Sequence, residues 1–230
     1  MTDKDYERLR STVQIKGEEG PSRYIGYIPE NKKGEVIDES GVTIGVGFDI
    51  GQHNEWELNQ IFPDNPELVK KLAHYVGLKG RAAQKKLKEI PLKLDKWANP
   101  ETKTQTSKDY LNVIQNPMRW KIDKIVNKYE GIVGEGRFLK LDPALQETIF
   151  STMYQMGIEG KTGAPGFWKQ ATSGDWTGLY ENLLDERPLE QGGWGRYADR
   201  RKRQAQKIWK SGAILRQSVI DEENRGKLFD

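Results

Sequence analysis

The stretch that most restricts how this chain can fold is residues 142–157. Asp142-Pro143 opens it, Leu145, Ile149, Met153 and Met156 recur at i, i+4, i+8 and i+11, and Gly157 closes it. Aspartate is a favoured N-cap, because its carboxylate accepts a backbone N–H of the first turn. Proline is tolerated at the first helical position, where its missing N–H has no partner anyway. The apolar stripe lies on one helix face and must be buried by neighbouring elements. The spacing therefore predicts a helix over 143–156 at the buried centre of a helical lobe.

The rest of the chain changes character once. Residues 2–16 read as a helix that Thr2 can cap, with Tyr6, Leu9 and Val13 on one face, ended by Gly17 and Gly20. Residues 21–52 are punctuated by Pro21, Gly26, Pro29, Gly34 and Gly41, and 23–28 and 42–48 are rich in β-branched and aromatic residues. They read as a small antiparallel sheet. Beyond residue 53 the periodicity predicts helices over 55–61, 66–77, 80–89, 107–129, 166–172, 175–185 and 196–210. Breaks are expected at 91–104 and 131–136. The fold class is α+β, dominated by helix, with a small antiparallel sheet and a helical lobe.

Composition removes several classes of function. Cysteine is absent, which excludes disulfide stapling, thiolate zinc sites and a cysteine nucleophile. Apolar runs are only a few residues long, so no membrane-spanning helix is expected. The start, Met1-Thr2-Asp3-Lys4-Asp5, has no apolar core, so no cleavable signal peptide is expected. Lys and Arg number 37 against 34 Asp and Glu, a net charge of +3, far from the basicity of a dedicated nucleic-acid binder. Such a charge suits gentle attraction to an anionic polymer such as a bacterial wall, and simple solubility accounts for it as well.

Local motifs remove more. Gly45-Val46-Gly47 with Gly51 has the wrong spacing for a dinucleotide loop, and no phosphate loop or G-x-S-x-G elbow occurs. His53 and His74 lack metal-ligand spacing and read as packing or surface residues. The basic run Arg200, Arg201, Lys202, Arg203, Lys207 and Lys210 has only Tyr197 and Trp209 as aromatic company. It reads as a solvated helix face with a salt bridge or two, with one exception, Arg200 or Arg201, that the resemblance below sets apart. What remains is a set of carboxylates: Glu18 and Glu19 where the first helix ends, then Asp38, Glu39 and Asp49 in or after the sheet, with Thr43 between. Chemistry done by carboxylates and hydroxyls alone is typical of glycoside hydrolysis. There one carboxyl donates a proton to the leaving oxygen, while another activates a water or attacks. The residues by themselves do not choose among 34 acids.

Glu19-Gly20, followed by Gly41-Val42-Thr43-Ile44-Gly45-Val46-Gly47-Phe48-Asp49-Ile50-Gly51-Gln52, resembles the active-site region of the phage T4-type lysozymes. It is closest to their pesticin-like branch of bacteriocin muramidase domains and endolysins. Residues 141–157, ending in Gln155-Met156-Gly157, resemble the central helix of the same family. Gly166-Phe167, Asp175-Trp176 and the Arg200-Arg201 helix follow at similar spacing.

The resemblance implies a two-lobed lysozyme-like fold in a single catalytic domain over 1–230. Its parts would be an N-terminal helix (1–16), the active-site and small-sheet region (17–52), a helical middle (53–140), a C-terminal helical lobe (141–215) and a tail (216–230). It implies Glu19 as general acid and Asp49, six residues after Thr43, as general base or electrostatic partner. Asp38, before the strand, is the alternative. Thr43 would bind the attacking water, and Gln155 would face the saccharide. Arg200 or Arg201 would pair with an acid near the cleft, and Gly45 and Gly47 would allow close backbone packing near the substrate. An inverting enzyme of this kind separates its carboxyl groups by roughly 6.5–9.5 Å.

The activity implied is that of an N-acetylmuramidase, a glycoside hydrolase cutting peptidoglycan between N-acetylmuramic acid and N-acetylglucosamine, with no metal and no cofactor. The rival is a catalytically silent wall-binding or inhibitory module on the same fold. Glu19 lies close to the first residue of the sequence, so no receptor-binding or translocation segments are expected before it. The expected settings are a phage endolysin released by a holin, or an effector delivered by a secretion machine and matched by an immunity protein. Either would be made in the cytoplasm and act at the periplasmic wall, without nucleic acid and without membrane insertion.

Overall fold

The computed structural model describes residues 1–14, 23–31, 33–37, 39–99, 101–157, 165–188, 193–226. It is an α+β protein in which helix dominates, and the chain divides into two compact units, Val13–Trp120 and Met1–Thr12 with Lys121–Asp230.

In the unit Val13–Trp120, β1 (Arg23–Tyr27), β2 (Thr43–Gly45) and β3 (Phe48–Asp49) form an antiparallel sheet in that order. The run 42–48, expected as one strand, is broken at Val46-Gly47. Gly45 and Gly47 both take positive φ, +65° and +73°, a region open to glycine without the Cβ penalty. The sheet's apolar face (Val42, Ile44, Phe48) packs on Leu58 of α2 (Glu55–Ile61) and Leu68 and Leu72 of α3 (Pro66–Ala73). The same core takes in Ala83 of α4 (Gly80–Glu89) and Val113 of α5 (Lys108–Val133). Asn54 and Glu57 form a reciprocal capping box at the start of α2, and Asn65 with Pro66 starts α3. His53 is a packing residue, stacked on Phe48 at 4.8 Å, edge-on to Trp120, with Nδ1 3.2 Å from Glu57 Oε2. His74 is exposed at the end of α3.

Two breaks differ from expectation. Within 91–104 the chain begins a second, two-stranded sheet, β4 (Trp97–Asn99) with β5 (Thr104–Thr106). Helix α5 runs through Gly131 and stops only at Gly134, whose φ is +105°. A glycine inside an exposed turn costs a helix about 1 kcal/mol, and the buried Ile125, Val126 and Tyr129 just upstream outweigh it.

In the other unit, α1 (Asp3–Gln14) is capped by Thr2. Its hydroxyl accepts from Asp5 N at 3.3 Å while the Asp5 carboxylate accepts from Thr2 N at 2.9 Å. The expected central helix is α6 (Pro143–Met156), with Asp142 accepting from Ala144 N at 2.9 Å. Leu145, Ile149 and Met153 are fully buried and Met156 nearly so. The polar face is buried too: Gln146, Thr148, Ser151 and Thr152 are all at most 3% exposed, so each hydroxyl and amide there needs a partner.

Helices α7 (Pro165–Ser173), α8 (Trp176–Leu183) and α9 (Ala198–Ser211) follow. Residues expected as a tail instead continue as α10 (Ala213–Gly226). Gln217 on α10 is buried and accepts from Asp142 N at 2.7 Å, while Arg216 reaches the Asp142 carboxylate at 2.7 Å. The cap of the central helix is thus pinned by the last helix. Among the described residues no helix is long and apolar enough to cross a membrane.

Candidate functional site

Thr43 and Asp49 face each other across the β2–β3 pair. Directly opposed residues of an antiparallel pair project on the same face, roughly 4.5–5.5 Å apart at Cβ. One residue, Gly41, ties them together through its backbone N–H and C=O. Gly41 N donates to both carboxylate oxygens of Asp49 at 3.1 Å, and Gly41 O accepts from the Thr43 hydroxyl at 3.3 Å. Asp49 also accepts from Gly51 N at 3.0 Å, capping the 3₁₀ turn Ile50–Gln52. Thr43 is 3% exposed, and Asp49 is partly exposed.

The geometry explains glycine at two flanking positions. A Cβ on Gly41 would lie 2.6 Å from the Asp49 carboxylate, and one on Gly51 would lie 2.3 Å from Leu78 O and 2.8 Å from Gly41 Cα. Most of those neighbours are backbone and cannot turn aside. Gly51→Ala is therefore expected to lower stability by about 1–3 kcal/mol, the usual range for overpacking, and to impair activity although Asp49 is retained. A thermal melt run beside an activity assay checks it, and a melt and activity matching the native protein would refute the reading.

The bare face of Gly45 meets something other than a substrate. Its Cβ would fall 2.5 Å from Val113 O, on α5. Pro117 lies four residues on in that helix, has no N–H, and leaves the Val113 carbonyl without its helical donor. Gly45 lets the sheet backbone close against that carbonyl. Gly47 serves the turn between β2 and β3.

Gln155 stands at the end of α6, where its Oε1 accepts from the Arg201 guanidinium. Arg201 is fully buried. It also donates to Thr152 Oγ1 at 2.7 Å and to Gln204 Oε1 at 2.5 Å, and it lies over the Trp194 ring at 4.9 Å. Arg200, 9% exposed, donates to Ser151 Oγ at 2.8 Å. Both arginines depart from the solvated face of the basic run, where the resemblance set one of them apart. The partners it implied were acids, and those seen are the hydroxyls of Ser151 and Thr152 and the amides of Gln155 and Gln204, because α6 presents buried hydroxyls that need donors. The solvated-face reading holds for Lys202 and Lys207, which pair with Glu186 and Glu147. Glu18, Glu19 and Asp38 lie outside the described residues. Among the described residues no group of three or more His, Asp or Glu side chains gathers as metal ligands.

Sequence reasoning marked Thr43 and Asp49 but not the roles of Gly41, Gly51 and the Leu78 carbonyl. Two glycines bracketing the strand pair were the available signal. A family model described as "Pesticin: Bacterial toxin homologue of phage lysozyme, C-term" matches residues 12–177, well over half of the chain. No curated protein matches it.

Proposed function

This chain belongs to the Pesticin family, bacterial toxin homologues of phage lysozyme, and from that premise we propose that it is a muramidase. It hydrolyses peptidoglycan between N-acetylmuramic acid and N-acetylglucosamine. Glu19 donates the proton to the glycosidic oxygen and Asp49 activates the attacking water. The observation that carries this reading is the Thr43–Asp49 pair joined through Gly41.

The chemistry follows from donor and acceptor roles. Asp49 accepts from three donors, Gly41 N shared between both oxygens, Gly51 N, and Gln52 Nε2 at 3.4 Å. An ionised carboxylate has about four lone-pair sites, so about one is left for a water. The Thr43 hydroxyl spends its proton on Gly41 O and is left as an acceptor. A water donating to both has its own lone pair free to attack the sugar. Gln155, with its oxygen held by Arg201, keeps its amide N–H groups for a saccharide hydroxyl. Peptidoglycan is the partner. Release by a holin, or delivery as an effector with a cognate immunity protein, would bring the chain from the cytoplasm to the periplasmic wall.

The test is digestion of purified Gram-negative peptidoglycan, with released fragments identified by mass spectrometry and a Glu19→Gln variant alongside. Muropeptides with new reducing ends, from the native protein alone, are expected. Anhydro ends would replace hydrolysis by lytic transglycosylation, and no release from any wall type by the folded protein would leave a silent wall-binding module.

A further inference from the structure

The β1–β2 pairing adds a third side chain to the row that holds Thr43 and Asp49. Tyr27 on β1 stands directly opposite Thr43 on β2, and Thr43 stands opposite Asp49 on β3. Opposed residues of an antiparallel pair share a face of the sheet. The neighbours of Tyr27 set which face that is. A Cβ on Gly26 would meet Leu92, and Ile28 packs against the core that Leu92, Val42 and Ile44 share. Successive side chains alternate between faces, so Tyr27 turns away from that core, to the side of Thr43 and Asp49. Tyr27 and Asp49 are partly exposed, and Thr43 between them is nearly covered.

Tyr27 carries a cation on that face. The Arg23 guanidinium lies over its ring, 4.1 Å from the centroid, where the ring attracts the charge and stacking orients the planar group. Arg23 is exposed, and among the described residues it has neither a hydrogen-bond acceptor nor an ion-pair partner. Its N–H donors form a fork that matches a carboxylate. The same face of the sheet thus offers a cation mounted on an aromatic ring, then the hydroxyl and the carboxylate that would hold the water.

A glycan of N-acetylglucosamine alone has no charge for Arg23 to meet. Muramic acid adds a lactyl ether, whose carboxyl is either free or extended by a stem peptide with carboxylates of its own. We propose that Arg23, held on Tyr27, reads this carboxylate and makes the site prefer a muramic-acid-bearing strand to an uncharged one. The proposal rests on the peptidoglycan-hydrolase reading and deepens it: Thr43 and Asp49 serve the reacting bond, and Arg23 the substituent beside it. Tyr27 is a positioning residue that acts through Arg23.

The experiment is calorimetric titration of the full chain carrying Glu19→Gln, so that no bond is cut. The probes are three tetrasaccharides: an N-acetylglucosamine tetramer, an alternating N-acetylglucosamine–N-acetylmuramic acid tetramer with free lactyl carboxyls, and the latter with L-alanyl-D-glutamate on each lactyl group. An acidic tetramer is expected to bind roughly fivefold more tightly than the neutral one, the upper range for a solvent-exposed ion pair. Which acidic tetramer gains tells whether the lactyl or the peptide carboxylate is read. Arg23→Gln is expected to abolish the advantage with an unchanged melting curve, and Tyr27→Leu to reduce it although the charge remains. If either variant fails to fold, the Glu19→Gln chain in 1 M salt, where screening acts within about 3 Å, is expected to lose the advantage. Absence of binding, equal binding of the three tetramers, or an advantage that survives Arg23→Gln or high salt would overturn the proposal. One that survives whole in Tyr27→Leu would overturn the part given to Tyr27. A preference without muropeptide release by the native chain would sink the hydrolase and spare the carboxylate site, and release without a preference would do the reverse.

Discussion

Glu19→Gln is expected to cut muropeptide release by roughly 10²–10⁴-fold, the usual contribution of a positioned general acid or base. Asp49→Asn is expected to cut it by a similar factor and to destabilise the protein as well. The two losses differ in origin. Glutamine matches glutamate in shape and cannot protonate a leaving oxygen. Asparagine matches aspartate in shape, and with its oxygen in place of Oδ1 it still accepts from Gly41 N and Gly51 N, but the acceptor loses its charge and the amide N–H₂ faces the Gly41 N–H and the Gln52 amide that Oδ2 accepts from. Losing a hydrogen bond to a charged group costs about 1.5–3 kcal/mol, and for a chain of this size each kcal/mol lowers the melting temperature by roughly 2–4 °C. Asp49→Asn should therefore melt several degrees lower than the native protein. Thr43→Val keeps the strand and removes the water's second acceptor, so its loss of activity should be smaller than either. Release quantified by mass spectrometry, beside thermal melts of all three, checks the set. Native activity in a folded Asp49→Asn variant would reduce Asp49 to a turn cap and transfer the role of base to Asp38.

How much of this was legible in the sequence depends on which force set each feature. Helix α6 could be read outright, because Asp142-Pro143 and a 3.6-residue apolar stripe are local signals and the structure buries that stripe as expected. Thr43 and Asp49 could be picked out because the strand motif around them resembles a known family. The extension of α5 through Gly131 and the helical state of residues 213–226 could not, because both depend on tertiary contacts: buried residues upstream of Gly131, and Gln217 and Arg216 reaching Asp142. Gly45 was legible as a glycine that matters but not for its reason. Its neighbour, the Val113 carbonyl, is 68 residues away in the chain, and the Pro117 that frees it is silent about who approaches. Charge patterning alone does not separate Arg200 and Arg201 from their run, since basic residues normally mark solvent; the resemblance set one of them apart, but nothing local says that Ser151, Thr152 and Gln155 wait on another helix.

Those arginines support the second large effect. Arg201→Met is expected to lower stability by about 2–4 kcal/mol, since a hydrogen bond made by a charged group is worth about 1.5–3 kcal/mol. Methionine has nearly the length of arginine and fills much of its space, so little of the loss comes from a void. It comes from the acceptors left behind. Thr152 is fully buried, and the carbonyl oxygens of Gln155 and Gln204 lose the guanidinium that joins them. Each buried acceptor without a donor costs about 1–3 kcal/mol, and Trp194 loses its cation partner, worth roughly 0.5–2 kcal/mol. Arg201→Lys separates charge from shape. It keeps the positive charge but offers one compact ammonium where a planar fork reaches several acceptors, so it should recover only part of the loss. The consequence for function runs through Gln155. With Arg201 gone, its amide is free to rotate, and substrate affinity should fall more than turnover in whatever fraction stays folded. Thermal melts of the two variants, with KM and kcat read separately on soluble muropeptide oligomers, test both halves. An Arg201→Met protein melting within a degree or two of the native one would mean that the α6 hydroxyls find other donors and that Arg201 is not what holds α9 to the central helix.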